Sequence, residues 1–322
     1  MQFLDLSPSH IHCTILTMPP TFPDPYIILP KPPHLHTDTL ILLHGTSTSG
    51  PELAGPLLST SFTRPTSQGP TSLPVLFPCC KFIFPTGAAN PTTVFNGRET
   101  HAWFDVHSFA DRTIGEDSLA FRRGLRASVR YLAALIKVEV EILGRKGDGE
   151  GGNVVLGGFS QGAAMAVVLL LSGELERAGV GSGFAGVIGI SGWLPLRSQV
   201  DEAIKSELQC CGSADRELRE KRKRVRVFLG GYLDLDDYGD GSSGAAREGD
   251  DEWLEVPILL GHGTADEKVR FEWGLQMGEV LMGLGLNAQS KSYVDLGHWW
   301  SEEEMADIAD FLGKLWSGDK ET

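Results

Sequence analysis

A serine between two glycines, in the stretch GFSQG at residues 158–162, has the surroundings of a reactive hydroxyl. An apolar run precedes it and a segment of helical composition follows, and Gly-x-Ser-x-Gly in that context is typical of a sharp strand-to-helix turn. In such a turn the serine backbone is strained and its Oγ projects from the sheet edge, while Gly158 and Gly162 avoid side-chain clashes. The start of a helix there would also favour an oxyanion beside Ser160. We therefore predict that Ser160 is a nucleophile, against the alternative of a glycine-rich turn with an incidental serine.

A serine hydroxyl is a weak nucleophile, so this prediction requires a base and an acid. Where a serine lies on such a strand-to-helix turn, these residues follow it along the chain in the order Ser, Asp, His. Asp266 comes directly after the apolar run VPILLGHG, at the kind of strand end where catalytic groups of open α/β sheets gather. His298 lies in the stretch YVDLGHWW, between a strand-like segment and the last predicted helix. We expect Asp266 to orient His298 and His298 to take the proton of Ser160. The alternatives are that Asp266 only caps a helix and that His298 is a packed loop residue.

An oxyanion hole is also indicated, because the stretch LILLHGTSTSG ends a predicted strand in His-Gly. A main-chain N–H just after such a strand commonly supplies half of the hole, and the residue after the nucleophile supplies the rest. We assign these roles to the main-chain N–H groups of Thr46 and Gln161. His44 and His262 lie in similar glycine turns, and we interpret both as structural.

Five short apolar runs bounded by glycine would position these groups. Continuous apolar runs of this length are typical of strands that are buried on both faces, and longer helical patterns separate them. We therefore predict an α/β fold with a mostly parallel central sheet and helices on both faces. The predicted strands cover residues 39–45, 81–87, 153–160, 186–192 and 256–263.

Helices are predicted where apolar residues recur at steps of three and four. The segment 269–285 reads as one helix, and Ser301 with Glu304 three residues later predicts the N-terminus of another. The longest pattern is an amphipathic stripe of Leu125, Val129, Leu132, Ile136, Val140 and Leu143.

We expect one domain over residues 1–322, interrupted by two charged surface insertions near 201–224 and 232–252. The basic run that ends the first insertion is typical of a solvated helix face, with an interaction or nuclear-localisation patch as the alternative. The acidic second insertion does not indicate a calcium loop, because tyrosine and alanine stand where oxygen ligands are needed. Residues 225–231 fit either an extra strand or part of a lid.

The composition excludes several classes of function. A formal net charge of −14 argues against binding to a nucleic-acid backbone. The five cysteines form an odd set with no Cys-x-x-Cys spacing, so neither a disulfide framework nor a zinc site is indicated. The N-terminus lacks the pattern of a signal peptide, and the chain has no uncharged apolar run of about 18 residues. We expect a cytoplasmic protein with no integral membrane association.

The chain resembles the acyl-protein thioesterase and lysophospholipase/carboxylesterase family of α/β-hydrolases, and is similar to its fungal members. The matching stretches cover about residues 25–315 outside the insertions, and they are LILLHG, FPTG with downstream AWFDV, GFSQGAAMA, ISGWLPL, ILLGHGTAD and GHWW. The resemblance implies that Ser160 is the nucleophile, that His298 acts as general base and then acid, and that Asp266 is the orienting carboxylate.

The same resemblance implies that Trp103 and Trp193 surround the substrate pocket and that no cofactor or metal is needed. Two loops depart from the family pattern. Thr-Ser-Thr stands at 46–48 in place of Leu-Gly-Asp, and Asp-Glu-Lys stands at 266–268 in place of Asp-Pro-Leu. Both changes make the acyl-binding side more polar, and a lysine must keep its ammonium in water. We expect Lys268 to border the acyl groove and to favour short or medium acyl chains.

These features together predict a serine hydrolase that cleaves carboxylic esters or thioesters, of small molecules or acylated proteins, through an acyl-serine intermediate. Lysophospholipid hydrolysis and cleavage of small metabolite esters are the alternatives within enzymes. In another class, the chain would be a non-catalytic hydrolase-fold protein that binds a ligand or partner. The oligomeric state is not predicted by any of these patterns.

Overall fold

The structure is a computed structural model that describes residues 21–65, 69–144, 153–205, 213–235 and 256–317. Its strands are short, and apart from β4, β5 and β9 most are strongly apolar. In chain order they are β1 (Tyr26–Ile28), β2 (Asp38–Leu43), β3 (Cys80–Phe84), β4 (Ala89–Thr92), β5 (Arg98–His101), β6 (Asn153–Phe159), β7 (Phe184–Ile190), β8 (Ile258–Gly263) and β9 (Ala288–Tyr293).

Seven of these strands form the central sheet, in the order β1-β3-β2-β6-β7-β8-β9. Every neighbouring pair is parallel except β1 with β3, and β4 and β5 form a separate antiparallel hairpin. The predicted mostly parallel sheet is therefore confirmed. Because parallel strands end at the same edge, the segments after β2, β6 and β8 meet there.

Helices lie between the strands, as the alternating pattern predicts. In chain order they are α1 (Gly50–Ser59), α2 (Leu73–Leu76), α3 (Leu119–Gly144), α4 (Gln161–Ser172), α5 (Glu174–Arg177), α6 (Arg197–Lys205), α7 (Ala214–Tyr232), α8 (Phe271–Gly283) and α9 (Glu302–Trp316). The predicted apolar stripe of α3 is buried at every position except Val140, which is partly buried. Among the described helices, none is both long and apolar enough to cross a membrane.

The sheet separates two hydrophobic cores, and β2 shows how. Ile41 and Leu43 belong to the core with α3, α4, α7 and α8, whereas Leu40 and Leu42 belong to the core with α1 and α9. Side chains of a strand point alternately to its two faces, so this division places helices on both faces of the sheet. All twelve residues of α4 are buried, which fixes the element that starts beside Ser160.

The segment between the two charged insertions is part of a helix. Residues 225–231 are neither a strand nor a lid, because they form the second half of the continuous helix α7. Val225 and Leu229, one helical turn apart, are buried in the same core as α4, so tertiary packing overrides the strand-like composition. The basic run is helical, as expected, but Arg222 also donates hydrogen bonds to the carbonyls of Leu284 and Gly285, both at 2.7 Å. Residues 206–212 and most of the second insertion lie outside the described residues.

Candidate active site

Ser160 lies on the turn between β6 and α4, with φ of 57° and ψ of −117°. A positive φ is strained for a residue with a side chain. The two flanking glycines permit this turn. A Cβ on Gly158 would lie 2.2 Å from the carbonyl carbon of Gly162, and a Cβ on Gly162 would lie 2.3 Å from the carbonyl oxygen of Leu43. The packing of α4 against β2 therefore holds the strained serine in place.

The fold brings Ser160, His298 and Asp266 into one hydrogen-bonded chain. Nε2 of His298 lies 3.0 Å from Oγ of Ser160, and Nδ1 of His298 lies 2.7 Å from Oδ2 of Asp266. Ser160 and Asp266 are each 7% exposed, and His298 is partly buried. An ionised carboxylate can only accept hydrogen bonds, so Nδ1 carries the proton and the lone pair of Nε2 faces the serine hydroxyl.

Asp266 is fixed by hydrogen bonds to both of its oxygens. Oδ1 accepts from the main-chain N–H groups of Lys268 and Val269, each at 2.9 Å. Burial opposes ionisation, but hydrogen bonds from His262, His298 and the Val269 N–H outweigh it and hold the pKa of Asp266 well below its usual range. The carboxylate is therefore charged at neutral pH.

His262 is a second histidine against the same carboxylate. Its Nε2 lies 2.9 Å from the carbonyl oxygen of Val269 and 3.4 Å from Oδ2 of Asp266. Both facing atoms are acceptors, so Nε2 carries the proton. The sequence interpretation of His262 as structural therefore omits a contact with Asp266. The spacing of His262 four residues before Asp266 is a sequence signal that could have indicated it.

Aromatic rings hold the imidazole of His298 from another side. The ring of Phe159, the residue just before Ser160, lies 4.8 Å from that of His298 between centroids. The ring of Trp299 meets the Phe159 ring edge-on at 5.6 Å. Such ring pairs favour one orientation of the imidazole. No sequence pattern indicates the contact between Phe159 and His298, because it joins segments far apart in the chain.

The chain segments that carry the two assigned oxyanion donors lie next to the serine. A Cβ on Gly45 would lie 3.3 Å from the Cβ of Ser160, so the loop that carries Thr46 passes close to the nucleophile. Gln161 is the first residue of α4, where a helix leaves its N–H groups free. Neither the Thr46 N–H nor the Gln161 N–H has a hydrogen-bond acceptor within the described residues.

The residues expected around the pocket differ in their surroundings. Trp103 is only 1% exposed and Trp193 is 5% exposed, so both lie largely below the surface. Lys268 is exposed, and its N–H contacts Asp266. Sequence reasoning missed Arg112, whose guanidinium lies 4.5 Å from the ring centroid of Trp193 and donates to the carbonyl of Lys268 at 3.1 Å. Burial lowers the pKa of Arg112 to about 10.

A serine on a strained strand-to-helix turn of a mostly parallel sheet, with a histidine and an aspartate in hydrogen-bonded sequence, defines an α/β-hydrolase. The sequence model of the Phospholipase/Carboxylesterase family matches residues 24–218 and 248–316. The chain belongs to this family. The prediction of an enzyme that acts on carboxylic esters or thioesters is thereby confirmed.

Named relatives and solved structures agree with this placement. The chain is 26% identical over 280 residues to acyl-protein thioesterase 1 of Yarrowia lipolytica, covering 86% of this chain and 91% of that protein. It is 26% identical over 274 residues to a probable carboxylesterase of Oryza sativa subsp. japonica, covering 85% and 76%. The crystal structure of Zea mays acyl-protein thioesterase 2 superposes with a TM-score of 0.58 at 22% identity, over 91% of this chain and 99% of that one. That structural likeness concerns the fold.

Within the described ranges, no group of three or more His, Cys, Asp or Glu side chains is placed to hold a metal ion.

A cavity of about 60 Å³ lies between β8, β9 and α8, with His262 and Ser290 among its lining residues. Ser160 and His298 do not line it, so we assign it no part in the chemistry.

Proposed function

We propose that this chain hydrolyses acyl esters or thioesters through a covalent acyl-Ser160 intermediate. The observation that carries the proposal is the hydrogen-bonded chain from Ser160 Oγ through His298 to Asp266, with distances of 3.0 and 2.7 Å. These groups have the mutual geometry that a serine nucleophile requires of its base, and that the base requires of its acid.

In the first half of the reaction, Ser160 Oγ attacks the acyl carbonyl carbon while Nε2 of His298 takes the hydroxyl proton. The carbonyl oxygen becomes an oxyanion, to which the N–H groups of Thr46 and Gln161 donate. Asp266 stabilises the imidazolium that forms on His298. The intermediate collapses as the bond to the leaving alcohol or thiol breaks, and His298 gives its proton to that leaving group.

In the second half, water attacks the acyl carbonyl carbon of the acyl-serine. His298 takes one proton from the water, and the same two N–H groups stabilise the second oxyanion. The bond to Ser160 Oγ breaks, and Oγ regains its proton from His298. The products are the free carboxylic acid and the original serine. Side chains and main-chain N–H groups of this chain, with one water, account for every bond and proton in these steps.

Acylated proteins and small acyl esters are the substrates that we propose. Relatives are named acyl-protein thioesterases and carboxylesterases, which supports both. The exposed Lys268, next to Asp266, and the polar loop 46–48 support short or medium acyl chains, because long chains gain free energy only against apolar walls. The family name also keeps lysophospholipids as an alternative. A cytoplasmic location stays a prediction.

Pre-steady-state hydrolysis of p-nitrophenyl acetate tests the acyl-enzyme. We expect a burst of p-nitrophenol that approaches one equivalent per chain, followed by a slower steady rate as water releases the acetyl group. Ser160→Ala should show neither phase. If folded wild-type protein binds esters but releases no p-nitrophenol, then the chain is the non-catalytic binding protein of the alternative hypothesis.

A further inference from the structure

Trp103 is hydrogen-bonded at both ends to the segments that carry the two proposed oxyanion donors. Its main-chain N–H donates to Oε1 of Gln161 at 3.0 Å, and its indole Nε1–H donates to the carbonyl oxygen of His44 at 2.8 Å. With 1% of its surface exposed, Trp103 offers almost no area to a substrate. Its position therefore needs an explanation other than the pocket wall implied by the family resemblance.

The first end of this connection fixes Gln161. The Gln161 side chain is fully buried, and its Nε2 donates to the carbonyl oxygen of Phe104 at 2.7 Å. Each end of the amide thus has a complementary main-chain partner, and this pairing settles the orientation of the amide. Ser128 also donates to the carbonyl oxygen of Trp103 at 2.5 Å, which anchors the segment 103–104 to helix α3. The residue that carries one donor is thereby tied to Trp103.

The second end fixes the loop that carries Thr46. Nε2 of His44 accepts from the N–H of Gly87 at 2.9 Å, so the ring proton is on Nδ1, which donates to the carbonyl oxygen of Gly45 at 2.6 Å. Burial lowers the pKa of His44 to about 4, which keeps the ring neutral and able to accept. In a planar trans peptide the C=O and N–H point in opposite directions, so the held Gly45 carbonyl directs the Thr46 N–H.

We propose that Trp103 is a positioning residue that holds the Thr46 and Gln161 N–H donors at the spacing needed by one oxyanion. The inference rests on the oxyanion hole of the proposed function and adds the element that joins its two halves. Without the indole bond, the His44 carbonyl oxygen loses that donor, and the Gly45–Thr46 peptide keeps the bond from the His44 imidazole and the neighbouring bond from the Ser47 N–H to the His101 carbonyl oxygen at 2.9 Å. The peptide is then held less firmly at its distance from α4. Displacing a donor weakens the interaction that develops only in the transition state.

Trp103→Phe tests this proposal, because it removes the indole N–H and retains an aromatic ring. The substrates are an ester and its thionoester, with the same short acyl chain and the same alcohol. A thionoester places sulfur in the oxyanion hole, and sulfur accepts hydrogen bonds weakly. We expect kcat for the ester to fall between about tenfold and a hundredfold with KM nearly unchanged, and the ester-to-thionoester ratio of kcat/KM to fall with it.

Trp316→Phe is the matched control, because the indole N–H of Trp316 is buried without an acceptor among the described residues. It should leave both rates and their ratio at the wild-type values. Gln161→Met serves as a second variant if Trp103→Phe does not fold. It removes the two hydrogen bonds of the Gln161 side-chain amide and keeps the main-chain N–H at position 161. Gln161→Met should lower the ester-to-thionoester ratio as Trp103→Phe does. The double variant should lower that ratio by less than the product of the two single reductions.

A folded Trp103→Phe or Gln161→Met variant with the wild-type ester-to-thionoester ratio would overturn the positioning role. An equal loss on ester and thionoester would overturn it as well, since general damage to the site would then explain the result. Failure of the proposed function looks different, because the wild type would then not hydrolyse the ester at all or Ser160→Ala would still hydrolyse it.

Discussion

Oδ2 of Asp266 lies 2.7 Å from Nδ1 of His298, although the two residues come from separate loops after β8 and β9. The other carboxylate oxygen is held by two main-chain N–H groups, so Asp266 cannot turn without breaking three hydrogen bonds. Asp295, an alternative acid closer to His298 in sequence, is exposed, and its N–H donates to Thr264 instead. The geometry therefore favours Asp266 as the partner of the imidazole.

Asp266→Asn should keep the fold and lower kcat by as much as roughly 10⁴-fold. The amide can donate to Nδ1, which would place the ring proton on Nε2 and remove the base that faces Ser160. Steady-state hydrolysis of p-nitrophenyl butyrate measures the loss, and circular dichroism checks the fold. Asp295→Asn is the control and should retain most of the wild-type rate. The reverse ranking of the two variants would assign the acid role to Asp295.

A second prediction concerns the buried carboxyl of Glu304. Ser301 caps α9 as expected, because its Oγ accepts from the Glu304 N–H at 3.0 Å. The Glu304 side chain does not return to the cap. It packs against Gly261 with 1% of its surface exposed, and neither carboxyl oxygen has a hydrogen-bond partner among the described residues. Burial raises the pKa of Glu304 to about 8.

A raised pKa means that the folded state binds the Glu304 proton more tightly than the unfolded state, whose pKa is near 4.5. The stabilisation is fully present below that value, and it is lost as pH rises towards about 8. From pH 5 to pH 8 the free energy of unfolding should therefore fall in the wild type by more than it falls in Glu304→Gln. The difference between the two falls should exceed about 1 kcal/mol. Urea denaturation at both pH values measures this difference. Parallel losses in the two proteins would show that Glu304 ionises without cost in the folded state.

Acyl-chain preference gives a third prediction. Each buried methylene contributes about 0.8 kcal/mol where it meets an apolar wall, and Lys268 offers only its stem. We expect kcat/KM to level or fall beyond about eight acyl carbons in the wild type and to extend to longer chains in Lys268→Leu. A series of p-nitrophenyl esters from C2 to C16 measures it.

Lys314→Leu, which changes an exposed lysine in the last turn of α9, is the control for that series. It should leave the chain-length profile unchanged. A wild-type kcat/KM that climbs steadily to a palmitoyl thioester, or a Lys268→Leu profile like that of the wild type, would remove Lys268 from the groove. Long-chain protein deacylation would then be the leading activity.

The fold was predictable from local patterns wherever one pattern applied to a whole element. Apolar runs bounded by glycine located the core strands to within about two or three residues, because strands buried on both faces need continuous apolar sequence. Residues 225–231 were ambiguous, since their valines and phenylalanine suit a strand. Only the packing of Val225 and Leu229 against α4 decides for a helix.

The catalytic residues were predictable because their order in the chain and their positions after strands can be read from the sequence. Ser160, Asp266 and His298 each follow a recognisable strand, and the fold brings the three side chains together. The contacts that hold them were not predictable. The ring of Phe159 on His298 and the bond from Trp103 to His44 join residues 139 and 59 positions apart, and no local pattern records such pairings.

Labelling with a fluorophosphonate tests the central claim most directly, because the reagent reacts with a serine only when a base activates it. Intact-mass analysis of wild-type protein should show one label per chain, and peptide mapping should place that label on Ser160. Folded Ser160→Ala should remain unlabelled under the same conditions. A label on any other residue, or labelling that persists in Ser160→Ala, would contradict the assignment of Ser160 as the nucleophile.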